Sequence, residues 1–286
     1  MRGRAIVPYL LILPAVLLSA LFVYGMINGI LQGLGVMPYL GLTTPTLDYY
    51  AEALTRADLT GSILFSLYVA AISSVLAVIG GVLVSLVLTR LHVGRRVRLA
   101  GIQLPLLTSH AVAALFIVTL FGGSGLLARS AYSLGMIGSQ TDFPVIVGSA
   151  GGWGIIAVYL WKEIPFVAFS TLTIMGNIGE RFEEAAGSLG ASPLRTFFSV
   201  TLPLCAPAVA KAFLIVFAFA FGAYEVPYLL GPTLPRALPV LAYLEYTSPD
   251  LLDRAHAMAL NGIMSLITLA LALAYFRLIH LERKVQ

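Results

Sequence analysis

The strongest constraint on this sequence is that its apolar residues come in runs of about 20 or more, the length a helix needs to cross a bilayer. Of 286 residues, 59% are hydrophobic and only 10% charged, and the mean hydropathy is +0.95. Soluble domains carry roughly a quarter charged residues, so a soluble fold of this length could not cover its surface. The chain is read as all-α, a polytopic membrane helix bundle. Its net charge of +4 then reports which loops face the cytoplasm and is no sign of nucleic-acid binding. Cys205 is the single cysteine, which excludes an intrachain disulfide. The four histidines (His92, His110, His256 and His280) lie too far apart in sequence for metal-ligand spacing.

Six transmembrane helices are expected, at about 8–31, 62–89, 99–122, 145–175, 207–230 and 255–281. A cleaved signal peptide competes for the first, because Arg2 and Arg4 precede its apolar core. That core outruns the usual ~7–15 residues and lacks a small-x-small site, so an uncleaved helix is expected. Pro165 removes one backbone hydrogen bond inside the fourth helix and predicts a kink. Orientation follows from the basic residues. Arg2, Arg4, Arg90, Arg95, Arg96, Arg98, Arg181, Arg195, Lys211, Arg277, Arg283 and Lys284 fall on one side; Arg56, Arg129, Arg236 and Arg254 fall on the other. The excess places both termini and the loop at about 177–205 in the cytoplasm.

Two outer segments have their own character. Residues 43–60 suggest a short interfacial helix with aromatics. Residues 231–254, with Pro232, Pro235, Pro239 and Pro249, suggest a semi-rigid ledge, either an interfacial anchor or a contact for an external soluble partner. On the basic side, Glu180, Glu183 and Glu184 are read as the first turn of a short helix, favourable to its dipole. Ala185 and Ala186 continue that helix with side chains small enough for a partner to approach closely. Gly190 stands where the chain must turn, and Ser192-Pro193 reads as N-cap and first residue of a second helical turn.

Ionisable groups inside spans are costly and are functional candidates by default. Lys162 and Glu163 lie within the fourth helix, pointing about 100° apart, so each needs its own partner: another helix or a water-filled cavity. Glu225 follows Gly222 and Tyr224. On one continuous helix it would lie roughly 21 Å from Lys211, at about 1.5 Å per residue. There it reads as a charge at the outer end of a cavity, or as a carboxylate in an ion pair or bound to water. Gly222 would permit close approach. His110, Asn28, Gln32 and Asn261 are equally readable as lining a polar path or bonding between helices.

The stretch Glu184-Ala185-Ala186, three residues, Gly190, nine residues, then Val200-x-Leu202-Pro203 resembles the signature loop of binding-protein-dependent ABC importer permeases, with Val200 in place of the more usual Ile. The resemblance implies a type I ABC importer permease architecture, with residues 1–286 as a single transmembrane permease domain. It implies a coupling element in which Glu183, Glu184, Ala185, Ala186, Gly190, Val200, Leu202 and Pro203 sit in a cleft of an ATPase. Glu184 and Gly190 would hold its geometry. The partners it implies are a second permease (a paralogue or an identical chain), two cytoplasmic ABC ATPase subunits that bind ATP and Mg, and an external solute-binding protein, all in a bacterial or archaeal inner membrane.

No cofactor is expected in this chain itself, and no lysine sits in a phosphate-cradling G-x-x-x-x-G-K-[ST] motif, so it is not expected to be an enzyme. The 221–231 stretch and the Trp161–Phe166 run resemble the polyamine, ferric-iron, sulfate and thiosulfate branch more than the sugar branch. A polyamine or other small cation is the leading expected solute, and sulfate, thiosulfate or another small anion the alternative. An ion-coupled secondary transporter is the rival mechanism; it predicts inverted repeats and broken helices in both halves, and no internal repeat is detected. An intramembrane enzyme would need nucleophile and base pairs, or metal ligands, at helical spacing, and none stands out.

The topology is testable with a single reporter. Arg96→Cys in a Cys205→Ala background should react with a membrane-impermeant maleimide only from the cytoplasmic side. Labelling from outside would reject the orientation.

Overall fold

The computed structural model describes residues 3–91 and 94–285. His92 lies outside the described residues, as do the side chains of Glu180, Glu183 and Glu184. In chain order the helices are α1 (Gly3–Gly33), α2 (Asp48–Thr55), α3 (Leu59–Arg90), α4 (Arg95–Leu107), α5 (His110–Phe121), α6 (Leu126–Ser133) and α7 (Trp153–Ser188). There follow α8 (Pro193–Thr196), a π-helical turn (Phe197–Thr201), α9 (Leu202–Gly222), α10 (Glu225–Leu230), α11 (Leu238–Tyr246) and α12 (Asp253–Val285). No strand occurs among the described residues. Among the described residues, six helical segments are long and apolar enough to cross a membrane.

The chain divides into two compact units, residues 1–60 with 241–286, and residues 61–240. In the first, α1 and α2 pack on α12. Gly33 lies so close to Met258 and Ala259 that a Cβ there would meet backbone at 3.2 and 3.3 Å. Its polar end is an ion-pair cluster. Arg56 donates to Asp58 (3.0 Å) and Glu245 (2.5 Å), and His256 bonds Glu52 (2.7 Å). The Asp58 hydrogen bond, aided by Glu245, pushes the Arg56 pKa above its ordinary value. The short helix expected in 43–60 is α2, and the proline-rich ledge contains α11.

The second unit is organised around α7. Its hydrophobic core includes Val167 with Ala212 and Val216 of α9, and Met175 with Val82, Phe197 and Cys205. Cys205 is thus a small core residue. Against α3 the packing is close and partly polar. Ser85 donates to the Ala168 carbonyl (2.9 Å) and shares a 2.7 Å hydrogen bond with Thr171, while Gly80 and Gly81 receive Ile164 and Val167. Small residues and hydroxyls are what hold helices together when the solvent is as apolar as leucine.

Three sequence expectations change. The third helix is broken rather than continuous: α4 ends at Leu107, Thr108 is extended, and Ser109 caps α5 by accepting from the Val112 amide at 3.2 Å. The fifth is broken at Ala223, which is extended, so Glu225 begins α10 rather than continuing α9. The fourth begins at Trp153 rather than 145 and runs on to Ser188, so Glu180, Glu183 and Glu184 fall near the end of a long helix and not in the first turn of a short one. The dipole argument for those carboxylates therefore fails: at a C-terminus the helix dipole disfavours negative charge.

A Cβ at Gly81 would sit 2.5 Å from the Val167 Cβ, whereas one at Gly25 would meet nothing within 4 Å. Gly81→Val should therefore cost about 1–3 kcal/mol, read as a lowered Tm in detergent, while Gly25→Ala leaves Tm unchanged. An unshifted Tm for the valine variant would refute the packing.

Candidate functional site

Two parts of the second unit carry the sequence-predicted site residues. The first is the turn between α7 and α8. Leu189 and Gly190 accept no further helix: the Gly190 amide donates to Gly187 O (2.9 Å) and the Ala191 amide to Ala186 O (3.0 Å), with Gly190 at φ +79°. That bonding pattern is a Schellman cap, which needs a left-handed residue four positions after the carbonyl it closes. The Ala186-to-Gly190 spacing of the motif supplies it. Ser192 then accepts from the Arg195 amide (3.4 Å) with Pro193 at the first helical position.

Around this double cap, large apolar side chains stand in the open: Leu189 is 88% exposed, Leu194 68% and Phe198 59%. Gly190, Ala185 and Pro203 are exposed, and Ala186 and Val200 half-buried. Phe197 is buried against Val82, Met175 and Cys205, and Leu202 packs on the same cluster. Both residues lie in the π-turn over 197–201, and the ring of exposed Phe198 packs edge-on against that of buried Phe197 with centroids 5.1 Å apart.

The second part is a cavity of about 260 Å³ between α4, α5, α7 and α9, lined by Leu106, His110, Lys162, Glu163, Phe166, Ile215, Val216 and Phe219. Lys162 and Glu163 are both buried, at 8% and 4% exposure. Their roles diverge as their directions do. The Lys162 ammonium donates to Leu106 O at 3.1 Å and to Thr108 O, carbonyls left over where α4 stops. A cation at a helix C-terminus both bonds the free carbonyls and meets the negative end of the dipole. Glu163 has no such partner: neither carboxylate oxygen finds a hydrogen bond among the described residues, and neither does the buried hydroxyl of Tyr159, one turn earlier on α7.

His110, half-buried at the start of α5, places its ring 4.9 Å from that of Phe219. Lys162 and Glu225 lie within electrostatic reach of it. The structure thus brings His110, Lys162, Glu163 and, at greater range, Glu225 together. Among the described residues nothing lies within 4 Å of a Cβ placed on Gly222, and Tyr224 is 43% exposed. Asn28, Gln32 and Asn261 lie in the other unit; the first two bond each other at 2.6 Å, and Asn261 lines a separate apolar groove between α1, α2 and α12. Tyr159 was not singled out from the sequence, although its i, i+4 relation to Glu163 carried the information.

Residues 81–283 match the family described as binding-protein-dependent transport system inner membrane component, and the chain belongs to that family. It is a permease subunit of an ABC importer, a multi-pass inner-membrane protein whose ATPase is a separate subunit. The chain is 28% identical over 221 residues to the probable sulfate transport system permease protein cysT of Nephroselmis olivacea, covering 75% of this chain and 74% of that one. It is 29% identical to the diacetylchitobiose uptake system permease protein DasB of Streptomyces coelicolor, covering 97% and 88%. It is 26% identical to the molybdenum transport system permease protein ModB of Azotobacter vinelandii, covering 78% and 95%. Its fold matches a chain of a bacterial alginate ABC transporter with a TM-score of 0.79 at 18% identity, covering 99% and 96%.

Lys162→Met would strand the carbonyls of Leu106 and Thr108 and should destabilise the protein by roughly 1–3 kcal/mol, seen as a lower Tm in detergent, with Lys162→Arg recovering part of it. Equal Tm for Lys162→Met and the unsubstituted protein would show that the break does not depend on the ammonium.

Proposed function

We propose that the whole chain serves as one permease domain forming half of a solute pathway, driven through the 183–203 element by a cytoplasmic ATPase. A second permease supplies the other half, two ATPase subunits dock from the cytoplasm, and an external binding protein delivers the solute. The observation that carries this reading is the double-capped turn at Gly190. Caps at both ends make it stiff, and exposed Leu189, Leu194 and Phe198 give it an apolar surface that water alone does not favour. A stiff element continuous with α7 and joined to α9 transmits a push to both helices as rigid bodies. Glu183, Glu184, Ala185, Ala186, Gly190, Val200, Leu202 and Pro203 are proposed as its working residues, with both termini on the same cytoplasmic side by the charge count.

The pathway residues are proposed to be those of the cavity, with Glu225, Gly222 and Tyr224 toward its outer end. As to the solute, the relatives are named for sulfate, molybdenum and diacetylchitobiose. They lend no support to the expected polyamine. They are compatible with a small oxyanion or a sugar.

Gly190→Asp puts a Cβ on a left-handed residue, and Glu184→Lys alters the helix end beside it. Each should leave the protein inserted and associated with its partner permease while ATP-driven uptake falls at least about tenfold, the two readouts being membrane fractionation and uptake in whole cells. Undiminished uptake in both variants would defeat the coupling role.

A further inference from the structure

Where α3 gives way to α4 in the second unit, an apolar groove of about 330 Å³ lies between α3, α4 and α7. Val84 and Leu88 line it from α3, Leu91 from just beyond α3, Val97 and Gly101 from α4, and Pro165 from α7; every residue that lines it is apolar. From Val84 to Leu91 is roughly 10 Å at about 1.5 Å per residue, and Val84 and Leu88 belong to a segment apolar enough to cross a membrane. Leu91 and Val97, at the mouth, are 44% and 65% exposed. Glycine weakens a helix interior, and at Gly80 and Gly81 the packing explains its use, since a side chain there would strike Ile164 or Val167. Around Gly101, inside α4, nothing among the described residues lies within 4 Å of an added Cβ. The room it leaves belongs to the groove instead of to a helix contact.

The mouth is flanked by charge of one sign. Arg90 ends α3 and Arg96 is the second residue of α4; both are exposed, and neither makes an ion pair among the described residues. Arg95 and Arg98 extend the run in the sequence, and no acidic residue occurs between Asp58 and Asp142. An occupant that satisfies both features has a hydrocarbon part for the groove and an anionic end for the arginines. Basic residues beside a gap between membrane helices are a recognition surface for anionic lipid head groups.

We propose that this groove is a binding site for an anionic phospholipid, with one acyl chain laid along Val84, Leu88 and Gly101 toward Pro165 and the phosphate held at the mouth by Arg90 and Arg96. Arginine suits that end because its guanidinium donates to two phosphate oxygens at once. A zwitterionic lipid brings the same chain, but its own cation offsets the attraction, so the site selects for net negative charge. The bound lipid fastens the turn between α3 and α4 to the membrane surface.

The test uses the full-length permease with its partner subunits, purified in detergent. Native mass spectrometry follows the lipid it retains as phosphatidylglycerol or phosphatidylcholine of the same acyl chains is added. Each basic residue beside an anionic lipid surface contributes about fivefold in affinity, so phosphatidylglycerol should be retained at least about tenfold more tightly. Arg90→Gln with Arg96→Gln should erase most of that preference. The matched pair Lys211→Gln with Arg277→Gln removes the same charge from exposed positions outside the groove and should leave the preference in place. Gly101→Phe fills the groove from a helical position that has room for a side chain, and should abolish the tight retention with Tm not lowered. Should its Tm fall, the two charge pairs decide the matter by themselves. Equal retention of the two lipids, equal losses in the two charge pairs, or undiminished retention by a stable Gly101→Phe would each overturn the proposal. Displacement of phosphatidylglycerol by inorganic phosphate, but not by sodium chloride of equal ionic strength, would assign the arginines to a free anion. Loss of the second permease from the Gly101→Phe complex, with the lipid preference intact, would assign the groove to a partner helix. Either result overturns the lipid site.

Discussion

Hydrocarbon offers a peptide group nothing to bond to, so every interruption of a membrane helix must be satisfied by the protein itself. The bond from the Lys162 ammonium to the carbonyls at the end of α4 is where this chain meets that demand most openly. The break at Thr108-Ser109 would otherwise leave half-buried acceptors bare. Because the ammonium comes from the middle of α7, the same contact ties α4 and α5 to the helix that ends in the Gly190 turn. It also places His110, the first residue of α5, against the cavity wall. One cation thereby holds an irregular backbone, orients a wall of the cavity and removes itself from the list of groups available to a solute.

The two ends of α7 work under different physical regimes. In its middle, side chains are buried, hydroxyls and small residues mediate contact with α3, and Glu163 and Tyr159 keep unspent hydrogen-bonding capacity. At its end the helix is closed by backbone geometry alone: a left-handed glycine, two return bonds, and a serine-proline start to the next turn. The first arrangement is costly and selective. The second is cheap, stiff and displays leucines. A continuous helix of 36 residues joins them, which is the physical requirement for a displacement at one to be felt at the other.

Much of the site was readable from residue spacing, and the parts that were not share a cause. The Gly190 turn was legible because a Schellman cap is local: it needs a small set of residues at fixed offsets, and Ala186, Gly190, Ser192 and Pro193 provide them. The breaks at Thr108 and Ala223 were missed because apolar periodicity runs straight through both, and what allows them lies elsewhere in the chain. Lys162 sits more than fifty residues from the carbonyls it bonds. The carboxylates at 180–184 were misassigned for the converse reason. A polar run looks like a new helix to a sequence reader, but α7 simply continues out past its apolar portion.

From composition and run length alone came the solvent, the six crossings and the all-helical class, since burial in lipid is a property of each segment by itself. The motif spacing brought the family. Tertiary structure decided which charges are spent and which are free. Lys162 and Glu163 are adjacent and look like equals in the sequence, and only the packing of α4 against α7 assigns the ammonium two acceptors while Glu163 finds no hydrogen-bond partner among the described residues. Pairing of that kind depends on what lies across the gap, and a linear chain does not specify its neighbours in space.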